Sequence, residues 1–101
     1  MSPIVESQQA QINELCRTLG VQRLDLFGSA TRDDFSSASD LDFLVRFDER
    51  DPAAYAEAWL ALHARLEAMF GRRVDLVSLD AVRNPYFRDR LLQTRETLYV
   101  A

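Results

Sequence analysis

No lysine occurs anywhere in these 101 residues; all twelve basic side chains are arginine. That absence removes several chemistries at once. A Walker-type phosphate loop needs lysine, and so do Schiff-base catalysis and an anchored pyridoxal phosphate. Any phosphate must be met by backbone amides, hydroxyls, arginine or metal. Histidine and cysteine are almost as scarce. His63 and Cys16 stand alone, which gives no zinc set. A single cysteine cannot close an internal disulfide, so an oxidising compartment is not indicated. Apolar runs long enough to span a bilayer are also missing. The opening MSPIVESQQ lacks a basic region followed by an apolar one, so the expectation is a cytoplasmic protein with no membrane partner. A net charge of −4 argues against direct binding to a nucleic-acid backbone.

What is present fits one globular domain over residues 1–101, with 48% hydrophobic and 28% charged residues. Ser2-Pro3 reads as a helix start. Ile12, Leu15, Cys16 and Leu19 follow at helical spacing, and Gly20 is a stop. Cys16 falls on the apolar stripe and reads as a buried structural thiol. Residues 21–27 alternate as a strand, residues 30–35 could make a short helical turn, and residues 36–39 form a polar loop. Asp51-Pro52 opens a long helix with Ala56, Trp59, Leu62, Leu66 and Met69 or Phe70 on one side, ended by Gly71. Residues 74–79 are a third strand. Asn84-Pro85 opens a last helix, in which Phe87, Leu91, Thr94 and Leu98 keep helical spacing. Tyr86 and Tyr99 read as packing or partner-contact residues. This order predicts an α+β fold, a small mixed sheet with helices packed on one face.

Residues 24–47, LDLFGSATRDDFSSASDLDFLVRF, organise the rest. Gly28-Ser29 ends an apolar run at a corner. Glycine there allows a tight turn and close approach of a ligand, and the exposed amides with the Ser29 hydroxyl make a candidate phosphate cradle. A plain strand-end turn is the competing reading. Arg32 could clamp phosphate or pair with Asp33 or Asp34. Asp40 and Asp42 open the next strand and share a face, because alternate residues of a strand point the same way. Leu41, Phe43, Val45 and Phe47 then make a core face. Adjacent carboxylates repel, and a hard divalent cation such as Mg2+ relieves that repulsion; alternatively, the pair merely solvates one face. Asp75, between Val74 and Leu76, is costly in an apolar strand unless paired or liganded. If its strand lies beside the Asp40/Asp42 strand, three carboxylates converge.

The run GSATRDDFSSASDLDFLVRF resembles the signature of the nucleotidyltransferase superfamily that includes DNA polymerase beta, most of all its minimal, single-domain MNT branch. Gly-Ser, a basic residue, Ser-Asp-x-Asp opening a strand and a later third Asp all occur here, and the ending RNPYFRDRLLQTRETLYV is similar to that branch's C-terminal helix. The chain departs at Thr31-Arg32-Asp33, where members often carry Ala-Arg-Gly. The resemblance implies a polymerase beta-like nucleotidyltransferase fold. It implies that Gly28, Ser29 and Arg32 contact the nucleotide, and that Asp40, Asp42 and Asp75 are catalytic ligands of two Mg2+ ions. It also implies an antitoxin of a type VII-like pair, transferring AMP from ATP to a tyrosine of a HEPN-domain RNase toxin. A non-catalytic antitoxin or scaffold that neutralises its partner by binding alone is the second expectation. Transfer to a small molecule or an RNA end is a third.

Overall fold

The structure, a computed structural model, describes residues 3–28, 40–48 and 50–101. Ser2, Ser29, Arg32, Asp33, the expected turn at 30–35 and the loop at 36–39 lie outside the described residues.

The first helical stretch is two helices rather than one. α1 (Pro3–Glu6) and α2 (Gln9–Leu19) are separated at Ser7 and Gln8. The Ser7 hydroxyl donates to the Ile4 carbonyl, a local bond that competes with continuation of the helix. Gly20 ends α2 at φ +71°, in the left-handed region where glycine carries no Cβ penalty. Next come β1 (Val21–Phe27), β2 (Leu41–Phe47), α3 (Pro52–Phe70), β3 (Val74–Ser78), a 3-10 turn (Leu79–Ala81), α4 (Pro85–Thr94) and β4 (Glu96–Val100). Asp51 caps α3 by accepting from the Ala54 amide, and Asn84 caps α4 by accepting from the amides of Tyr86 and Phe87. Both starts follow the Asx-Pro reading. The buried stripe of α3 is Ala58, Leu62, Leu66 and Phe70, with Trp59 and Met69 partly buried. Ala56 is exposed, one position off the stripe.

β4 corrects the expected last helix. Helical spacing through Leu98 is real, but α4 stops at Thr94, and residues 96–100 pair antiparallel with β1. ETLYV is rich in β-branched and aromatic side chains, which suit a pleated, half-buried surface. In that strand Leu98 still reaches the core.

The sheet order is β3-β2-β1-β4, with β2–β3 parallel and the other pairs antiparallel. The sheet is therefore mixed, and the expected α+β class holds. α2 and α3 cover one face, where Leu24, Leu26, Phe43, Val45, Leu62 and Leu66 form the main core. Burying each such side chain contributes about 1.5–3 kcal/mol. The reverse face carries a smaller cluster in which Leu44 meets Leu79 from the 3-10 turn and Leu91 from α4. A register shift between Val21 and Arg23 puts Val21 with the main core despite simple alternation.

Candidate functional site

Register places the functional side chains. Phe27 of β1 stands opposite Asp42 of β2, and Asp42 opposite Asp75 of β3. Cross-strand neighbours project to the same side, so these residues form a row on the reverse face, at the end of β1 and the start of β2 and β3. The next row along is Asp25, Leu44 and Val77. Asp42 is half-buried, while Asp75 and Asp40 are exposed. Exposure corrects the expectation of a costly acid inside β3. That strand is a sheet edge, and its Asp75 carboxylate remains hydrated.

Gly28 closes the row. Its φ is +74°, and a methyl group there would overlap Asp42 Oδ2 and stand 3.1 Å from Asp42 Cγ. The absence of a Cβ is thus what lets the corner sit against the carboxylate. The structure brings Gly28, Asp42 and Asp75 together. Asp40 lies one residue before β2, and among the described residues no three acids, histidines or cysteines gather closely enough to hold a metal ion. The chemistry of the donors nevertheless suits a hard divalent cation: carboxylate oxygens only, two of them from paired strand positions.

A cleft of about 540 Å³ adjoins the row, lined by Phe27, Gly28, Phe87, Arg90, Leu91, Thr94 and Glu96. That volume falls in the range of small-molecule sites, roughly 300–1,000 Å³. Gly28 is the wall shared by cleft and acid row.

Sequence reasoning missed Asp25, the one buried charged residue among those described, at 1% exposure. Both carboxylate oxygens accept from Arg23 Nε, at 3.0 and 3.1 Å, and Arg95 Nη1 lies 3.5 Å away. Arg23 also donates to the Thr97 hydroxyl at 2.7 Å. This network ties β1 to the junction of α4 and β4 and so fixes the helix that walls the cleft. The alternation of residues 21–27 put Asp25 opposite Leu24 and Leu26, but its partner Arg95 is seventy residues distant, a pairing no local pattern signals.

Cys16 takes the buried structural place expected of it, and His63 is held by its own contacts. His63 stacks on Trp59 and donates from Nε2 to the Val74 carbonyl at 2.9 Å. Cys16 is fully buried, and desolvation pushes its thiol up to about 12.

Comparison with known proteins agrees with this fold. The profile of the family described as Polymerase beta, Nucleotidyltransferase matches residues 10–101. The protein adenylyltransferase MntA of Thermococcus cleftensis is 34% identical over 91 residues, covering 90% of this chain and 86% of that protein. A solved chain assigned to the minimal nucleotidyltransferases superposes with a TM-score of 0.71 at 33% identity, covering 95% of each chain. A chain from the complex of a tri-AMPylated Shewanella oneidensis HEPN toxin with MNT antitoxin shares the fold, with a TM-score of 0.63 at 22% identity over 96% of this chain and 73% of that one. From its Gly28 corner to its paired Asp42 and Asp75, this chain belongs to the Polymerase beta nucleotidyltransferase family.

Proposed function

We propose that the chain is a single minimal nucleotidyltransferase domain over residues 1–101, acting in the cytoplasm as the antitoxin of a HEPN-type RNase toxin and transferring AMP from ATP to a tyrosine of that toxin. The observation that carries the reading is the cross-strand pair Asp42 and Asp75, pressed at one end by the side-chain-free Gly28. Relatives named protein adenylyltransferase and the AMPylated HEPN toxin in the related complex support the choice of nucleotide and acceptor.

Asp40, Asp42 and Asp75 would hold two Mg2+ ions. When bound, magnesium polarises the α-phosphate and neutralises charge on the entering and leaving oxygens. Gly28, with Ser29 and Arg32, contacts the triphosphate. Asp75, nearest the open β3 edge, accepts the proton of the attacking tyrosine hydroxyl. A bond forms from that oxygen to the α-phosphorus as the α–β anhydride breaks, and pyrophosphate leaves.

The test is intact-mass analysis of purified toxin after incubation with the chain, ATP and Mg2+. An adenylyl adduct on a toxin tyrosine is expected, and Asp42→Asn should abolish it. No adduct from either the natural chain or Asp33→Gly would reject the proposal.

The exposed position of Asp40 and the lack of a three-acid group among the described residues favour a second reading, neutralisation by binding alone. The double variant Asp40→Asn, Asp42→Asn separates the two. Full neutralisation by that variant makes catalysis dispensable.

A further inference from the structure

One wall of the cleft is a single helix face. Phe87, Arg90, Leu91 and Thr94 follow the i, i+3, i+4, i+7 spacing along α4. Phe27 and Gly28 come from the end of β1, and Glu96 from the start of β4. The cleft therefore lies on the β1–β4 side of Gly28, whereas Asp75 sits two strands away on the β3 edge. The side proposed for the acceptor is thus remote from the cleft, which opens beside Gly28, the proposed triphosphate contact.

The lining selects which part of the nucleotide enters. Two phenylalanines and a leucine suit a flat aromatic ring, and the planar Arg90 guanidinium, which has no hydrogen-bond or ion-pair partner among the described residues, offers a further stacking surface. Glu96 opposes a polyphosphate. The Thr94 hydroxyl donates to the Arg90 carbonyl at 2.8 Å, which spends its proton and leaves an acceptor. A carboxylate is acceptor-only, with about four lone-pair sites, so Glu96 adds acceptor capacity beyond any bond it already makes.

We infer that this cleft is a nucleobase subsite that binds adenine, with Thr94 and Glu96 accepting from its exocyclic amino group. Guanine presents a carbonyl oxygen at the equivalent edge and meets acceptors with an acceptor. The inference rests on the nucleotidyltransferase reading for its choice of ligand.

The test is an amide NMR titration of the full chain with AMP and with GMP, metal chelated. AMP should shift Phe87, Arg90, Leu91 and Thr94, and GMP should bind at least about fivefold more weakly. Thr94→Val should weaken AMP about fivefold, and the exposed Phe87→Ala about tenfold through lost stacking. Equal binding of GMP, or AMP shifts that bypass α4, overturns the subsite. Transfer of AMP to the toxin with α4 unperturbed also overturns it while sparing the proposed activity. A mapped subsite without transfer does the reverse.

Discussion

Gly28 and Asp42 constrain one another, and that contact carries the sharpest expectations at the scale of single residues. Gly28→Ala places a methyl group into the carboxylate and a side chain at φ +74°, where an L-residue costs about 1–2 kcal/mol. Thermal unfolding should show that loss, and AMP transfer should fall further than stability, because relief comes most easily by moving Asp42. Asp75→Asn should behave oppositely. Removing one of two facing carboxylates relieves a repulsion of about 0.2–1 kcal/mol, so the midpoint of unfolding should hold or rise while transfer is lost. A destabilised Asp75→Asn protein would mean that the pair is structural. Asp42 and Asp75 were legible because alternation within a strand is local and an acid in an apolar run stands out. Asp25 was not. Its burial is set by α4 folding over the reverse face and by Arg95 arriving from the far end of the chain.

At the scale of elements, the helix starts were the easiest to read, since Asp51-Pro52 and Asn84-Pro85 carry cap and proline in adjacent positions. Asn84→Ala removes an acceptor for two amides and should cost about 1 kcal/mol. It should also loosen Phe87 at the rim of the cleft, which amide exchange in the first turn of α4 would register. β4 was hidden because Leu98 satisfies two periods at once: it is in phase with Leu91 and Thr94 on a helix, and it alternates correctly in a strand. Only pairing with β1 decides between them, and that contact is long-range. Ending the chain after Arg95 should uncover the β1 edge and promote association, visible as concentration-dependent light scattering. A monomeric truncated protein would show that the edge is otherwise protected.

For the whole molecule, the mixed sheet was readable as a class, while the exposure of individual surface side chains was not. Tyr86, read as a packing or partner-contact residue, is 85% exposed, and Phe87 is 47% exposed, values that follow only once α4 is placed. Ionisation of Cys16 gives a global pH signature. Its thiol has an ordinary value of 9.0 and is pushed up to about 12 by burial, so the unfolded chain loses this proton first. The contribution is complete below pH 9.0 and is lost as pH rises towards 12. Between these limits the natural chain should lose up to about 1.4 kcal/mol per pH unit more than Cys16→Ala, measured by denaturant unfolding. Equal slopes would place the thiol in contact with water. The same burial makes the chain its own reporter. With one sulfhydryl, sealed at 0% exposure among Val5, Ile12 and Val21, an alkylating reagent labels only those molecules that have momentarily come apart. Its labelling clock reads the opening equilibrium of the free chain, and slows by the grip of whatever binds it.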